Sequence, residues 1–318
     1  MTASFVVMAA GVFFAGAIAG ALAGAVGGRV AGGWTERLAP RAKIAFWMLI
    51  AVMPWVIGLV ALVAALLPSF GFGADHCLIH GAHHPHLCLH HPQDLSFPAL
   101  LLAVIGIARL ATVITREARK TWTARRAIAM LHAAKAQETA DGHRVVPGSL
   151  PTAFVAGTVR PRIYLSQAAA DLPPRLLAPV LAHERCHVAR RHLLWRFVAR
   201  IAGSLHVPAV SRMIDDRLAS AQELEADACA AHAVGDRLLV AESLLLLARA
   251  RAGAPTGALA FGDGIVRARV MALTDVTDHD TPWPLALVAA LAVAAVVAAV
   301  TSPAQVHHAL ETLLGWLH

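Results

Sequence analysis

The sequence predicts a mainly α-helical, polytopic membrane protein with four transmembrane helices and a charged, cytosolic α+β domain inserted between the third and fourth. Three observations carry this. The chain of 318 residues is 58% hydrophobic and 15% charged, too apolar for an ordinary soluble domain. Its apolar residues are bunched into runs near the ~20 residues a helix needs to cross the hydrocarbon core. Its Lys and Arg residues fall on alternate links between those runs.

The first run, residues 4–28, contains no charge. No Lys or Arg precedes it and a second run follows closely, so it reads as a span rather than a cleaved signal peptide. Its glycines at 16, 20, 24 and 28 share one helical face. Small residues at that spacing let helices approach closely in lipid, so this helix is expected to pack on another span or to join two copies into a homo-oligomer. The second run is uncharged from Ile44 to Phe72, with its span at 44–68, and the third, 97–115, is broken only by Arg109. That arginine is expected to snorkel towards the inner face. The fourth span is 281–302, followed by a short tail, 303–318.

Basic residues set the orientation. Arg29, Arg37, Arg41 and Lys43 lie between the first two spans, and "REARKTWTARR" follows the third. The link between spans two and three has no Lys or Arg, nor has the tail. The positive-inside rule then places residues 118–280 in the cytoplasm of a plasma membrane, with both termini external. The positive charge sits at the inner leaflet, where anionic lipid accounts for it, so no nucleic-acid partner is expected.

Within the central region, residues 118–142 read as a basic amphipathic helix continuing span three. "TAFVAG" and "RPRIYLS", separated by Gly157 and Pro161, read as a small hairpin or edge strands, able to pair with an extended peptide. A helix is expected from Pro174 without a break to Gly203. It carries "HERCH", which sets His183 and His187 one turn apart on one face, where two imidazoles can bind one Zn2+, with Glu184 beside them as a base. A catalytic zinc wants a third protein ligand. The helical segment "SAQELEADACAAHAVG" offers Glu223 for that place, and Asp227, one turn on, to fix the tautomer of a ligand histidine. Arg267, Arg269 and His232 are candidate donors to an oxyanion. Cys186 and Cys229 read as small buried hydrophobes, with a redox role as the rival reading. Arg237 to Gly253 forms a further helix, "GAPTGALAFGDG" a flexible link, and Ile265 to Leu273 returns the chain to the fourth span.

"HERCH" followed by "ELEAD", with "FVAGTVRPRIYLS" upstream and spans on both sides, resembles the integral-membrane gluzincin metallopeptidases, and among them the BlaR/MecR type. The resemblance covers roughly residues 1–302. It implies a cytosolic gluzincin-like zinc peptidase domain, with His183, His187 and Glu223 as zinc ligands, Glu184 as general base and Asp227 behind them. It also implies a signal-transducing protease whose protein or peptide substrate is a transcriptional repressor. Two departures stand out. Only the short tail, 303–318, follows the last span, so sensing through an external penicillin-binding domain is not expected. Arg185 and Cys186 occupy positions where the family usually has apolar or small residues.

The external loop, 69–96, holds seven histidines and two cysteines between Asp75 and His91. That density suits zinc, copper or nickel, with a disulfide between Cys77 and Cys88 as the rival reading. An alternative function follows from it: a non-proteolytic metal-binding sensor or transporter. Transporters place ionisable residues in several spans, and here Arg109 stands almost alone, which favours the peptidase.

Overall fold

The computed structural model describes residues 3–70, 96–133, 137–139, 142–252 and 259–275. The fourth expected span, the tail and nearly all of the histidine-rich loop, with Cys77 and Cys88, lie outside the described residues. The described chain is mainly helical: α1 (Ala3–Val30), α2 (Gly32–Thr35), α3 (Pro40–Leu66), α4 (Phe97–Ala133), α5 (Gln167–Ala170), α6 (Pro174–Ala189), α7 (His192–Ala202), α8 (Pro208–Val234), α9 (Arg237–Ala252) and α10 (Leu259–Thr274). Four short strands lie between α4 and α5: β1 (Gln137–Glu138), β2 (Arg144–Val146), β3 (Ala153–Ala156) and β4 (Arg162–Ser166).

Among the described residues three helices, α1, α3 and α4, are long and apolar enough to cross a membrane. Their outward faces carry Leu22, Val26, Leu59, Val63, Leu101, Val104 and Ile105, which suits lipid as the surrounding solvent. The glycine face of α1 packs on α3 of the same chain. A Cβ at Gly20 would stand 2.8 Å from the Met53 carbonyl oxygen and from Pro54 Cα, so only a hydrogen side chain permits this backbone approach. The face is thus covered within the chain. Phe5, Met8, Val12, Ala65 and Ala99 fill the contact among the three helices.

Two expectations fail here. The helix begun by the third span ends at Ala133, and residues 137–138 and 144–146 are strands rather than its continuation to 142; Gly142, at φ +78°, turns the chain back. The "GAPTGALAFGDG" link is already helical from Leu259. Arg109 has protein partners. It donates from Nε to the Ser204 carbonyl at 3.0 Å and from Nη2 to the His206 carbonyl at 3.0 Å.

These carbonyls belong to an elbow between α7 and α8 that is inserted among the candidate spans. Trp55 donates to the Ala202 carbonyl at 2.8 Å, and His206, 1% exposed, meets the Ile50 carbonyl at 2.9 Å. Trp55 stands fourteen residues beyond Arg41, or ~21 Å along the helix, so the elbow reaches the middle of α3. Irregular backbone packed among apolar helices needs partners from protein, and Arg109 and Trp55 are two of those partners. Below the elbow, Phe46, Trp47, Ile50 and Ala51 of α3 form one core with Ala199, Val210, Ile214 and Leu218.

The sheet has the order β1-β2-β4-β3, with β2 parallel to β4 and the other pairings antiparallel. β3 and β4 form the expected hairpin, in register Phe154 with Tyr164. Its turn requires Gly157 at φ +101°, where a Cβ would meet the Arg160 carbonyl at 2.5 Å. The Ser166 hydroxyl then starts α5 by accepting from the Ala169 N–H at 3.1 Å, a cap that contributes about 1 kcal/mol. Ala153, Ile163 and Leu165 pack on Val180 and Leu181. The sheet thereby seats α6, the helix with the histidine pair.

Candidate metal centre

The site lies where α6 faces α8. The two helices bring single ligand atoms of His183, His187 and Glu223 within 4.8 Å of one another. The Nε2 atoms of His183 and His187 stand 3.1 Å apart. Glu223 reaches both, at 3.5 Å from His183 Nε2 and 3.6 Å from His187 Nε2. A tetrahedral ion bound at 2.0–2.2 Å needs its donors roughly 3.3 Å apart, so these three side chains fit a metal with little adjustment. The donor set of two imidazoles and a carboxylate suits zinc and the neighbouring divalent transition metals.

The outer nitrogens are held as well. His183 Nδ1 lies 2.9 Å from Asp227 Oδ1, the place given to Asp227 by its spacing. Donation there leaves His183 Nε2 as a lone pair aimed at the ion. His187 Nδ1 lies 2.8 Å from His192 Nδ1, and His192 Nε2 lies 3.0 Å from Glu225 Oε2. One arrangement of protons satisfies this chain with both rings neutral: His187 donates to His192, His192 donates to Glu225, and His187 Nε2 is left for the metal. Glu225 is further gripped by Arg41 at 2.9 Å and Arg190 at 3.4 Å. Arg41 opens α3, so a candidate span touches the outer end of the relay.

His192 and Glu225 were not among the expected site residues. On the unbroken helix expected from Pro174 to Gly203, His192 would sit about 140° around the axis from His187. The helix instead breaks at Arg190 and Arg191, and Arg191 adopts φ 52°. A non-glycine residue there costs of order 1–3 kcal/mol, and the break is what folds His192, 3% exposed, back onto His187. Two residues after Glu223, Glu225 points the other way round α8 and meets α7. The only sequence signal was a second histidine and a second acid near the two motifs.

Arg269 occupies the back of the site. It donates to both oxygens of Asp227 at 2.7 Å and stands 3.0 Å from Glu223 Oε2. It therefore aligns the two carboxylates; its guanidinium is committed to them. The other two candidates for an oxyanion donor, Arg267 and His232, are exposed. Glu184 is 8% exposed on α6 next to His183, and Arg269 feels its charge.

Without a metal, charge is distributed unevenly. Burial disfavours the charged form of His183, but hydrogen bonds to Asp227 and Glu223 outweigh it and raise its pKa to about 9. Burial and the neighbouring His183 lower His187 to about 4. Burial opposes ionisation of Glu223, yet His183 and Arg269 hold it down at about 2. A proton on His183 thus stands where the ion would sit.

Cys186 is buried, as expected, but as one end of a disulfide to Cys229 rather than as a free apolar filler. No protein-family model matches the chain, and neither the curated proteins nor the solved structures provide a match.

Proposed function

We propose that the chain is a membrane-embedded zinc metalloendopeptidase of the BlaR/MecR type, cutting a cytosolic or membrane-proximal protein. The observation that supports this reading is the cage of His183, His187 and Glu223, with both imidazoles held from behind so that Nε2 faces the shared point. A buried carboxylate, Glu184, follows the first ligand on the same helix. A scattered group of surface histidines would show none of this ordering.

Zinc held there would supply Lewis acidity to a peptide carbonyl and lower the pKa of the attacking water. Glu184 takes the proton of that water and returns it to the leaving amine. Asp227 and the His192–Glu225 pair keep the ligand rings in one tautomer. Arg269 neutralises Asp227 and Glu223 and keeps their oxygens in place. β3 presents an edge beside the zinc helix: among the described residues it pairs only with β4. That edge would offer main-chain hydrogen bonds to an extended substrate.

In this reading the peptidase region faces the cytoplasm of a bacterial-type plasma membrane, with the basic link Arg29–Lys43 and the basic end of α4 at the inner surface. The substrate implied by the resemblance is a transcriptional repressor. The test compares wild type with Glu184→Gln in detergent, each loaded with zinc, following self-cleavage and cleavage of an unfolded protein by mass spectrometry of new N-termini. The proposal expects equal zinc in both and new termini only in wild type. Equal cleavage by the variant would remove the base assignment, and no cleavage by either would remove the peptidase.

A further inference from the structure

The zinc chemistry has no use for Cys186 and Cys229, yet they sit on the same two helices as its ligands. Cys186 lies on α6 between the two imidazole ligands, and Cys229 lies on α8 two residues beyond Asp227. The two are joined, with Cα atoms 6.2 Å apart and 43 residues between them in sequence. That Cα distance is one a disulfide spans without moving either backbone. Cys186 is 5% exposed, while Cys229 is half-buried and so reachable from outside. The bond ties the helix carrying His183 and His187 to the helix carrying Glu223 and Asp227.

We propose that Cys186 and Cys229 form a reversible modification site, a dithiol–disulfide couple that sets how firmly the metal is held. This rests on the zinc reading of the same site. The region is read as cytosolic, where glutathione and thioredoxin keep thiols reduced and the disulfides that do form are transient or redox-sensing. The couple therefore closes under oxidant and opens when the pool recovers. With hydrogen peroxide as oxidant, the Cys229 sulfur attacks one peroxide oxygen. The O–O bond breaks, a sulfenic acid forms, and the departing hydroxide leaves as water with the thiol proton. The Cys186 sulfur then attacks the sulfenic sulfur, the S–S bond forms, and a second water departs. Two thiols and one peroxide give one disulfide and two waters. A dithiol reductant reverses the step by exchange, itself ending as a disulfide.

Closed, the bond limits the separation of α6 and α8, and Glu223 stays against the imidazoles. Open, the helices are joined at this point only by packing, and the carboxylate can withdraw from the ion.

The test uses the full chain in detergent, loaded with zinc and treated either with hydrogen peroxide or with a phosphine reductant. Iodoacetamide labelling read by peptide mass spectrometry reports the bond, and transfer of zinc to a chromophoric chelator reports the metal. A His183→Ala/His187→Ala variant supplies the baseline for zinc held by the external loop. The peroxide-treated protein should leave Cys186 and Cys229 unlabelled, and reduction should speed zinc loss about tenfold or more. C186S/C229S should lose zinc at the reduced rate under both treatments. Full labelling of both cysteines after peroxide, or one rate of zinc loss in both redox states, overturns the proposal. A chain that takes up no zinc beyond the baseline ends the metalloenzyme reading and the coupling with it, whereas the labelling result by itself still decides whether the bond forms.

Discussion

His187 Nδ1 meets His192 Nδ1 at 2.8 Å, and it does so because Arg191 turns the chain with φ 52°. A ligand of the metal cage is thereby held through a second imidazole by Glu225. Replacing His192 by Ala removes the acceptor behind His187 and frees its tautomer. Zinc affinity is expected to fall about 10–100-fold, measured by competition with a chromophoric chelator. Arg41→Ala should change it far less, because the Arg41 side chain is 66% exposed and exposed ion pairs contribute little.

The raised pKa of His183 gives the site a pH dependence of defined sign. Below about 9 the metal-free site carries a proton on that ring, and zinc has to displace it. Glu223 and His187, at about 2 and about 4, are already deprotonated at neutral pH. Apparent zinc affinity should therefore rise about tenfold per pH unit from 7 to 9 and flatten above that. Calorimetric titration in two buffers of different ionisation enthalpy should show one proton released per zinc at pH 7. No proton release would remove the account of His183.

Arg269 is the counter-charge for two carboxylates, and Asp227 is only 4% exposed at its side chain. Arg269→Ala strands that charge in a buried place, at an expected cost of about 3–5 kcal/mol to the metal-free protein. Arg269→Lys retains a charge but not the two-pronged contact and should recover part of the loss. Thermal unfolding with and without zinc checks this, and zinc should narrow the gap because the ion takes over part of the neutralisation of Glu223.

At Gly20 a single methyl group would collide with backbone on α3, whereas at Gly33 it would meet nothing within 4 Å. Gly20→Ala is expected to destabilise the paired spans by about 1–3 kcal/mol, and Gly33→Ala to be nearly neutral. Denaturation of both variants in mild detergent measures the difference. Equal stability would contradict the close α1–α3 approach.

What was legible in the sequence is what is local. The apolar runs gave three candidate spans, the first two within a few residues of their ends and the third at its start, though its helix runs on to Ala133. Spacing of four put His183 with His187 and Glu223 with Asp227, and Gly157 marked the hairpin turn. Non-local features were hidden. Nothing in "RRHLLW" signals that the helix stops at Arg190, because both arginines favour helix and the break goes with the packing of α7 on distant helices. The elbow around His206 could not be read either: it needs Arg109 and Trp55, roughly 100 and 150 residues away in sequence, to satisfy its carbonyls. The Cys186–Cys229 pair depends on how α6 and α8 face each other, and that relation is set by the whole core.

The zinc content of purified full-length protein, wild type against His183→Ala/His187→Ala, addresses the claim on which the rest depends. After dialysis against weak chelator, the account predicts a difference of one zinc per chain, whatever the external histidine-rich loop retains in both. Equal zinc in the two proteins would contradict it.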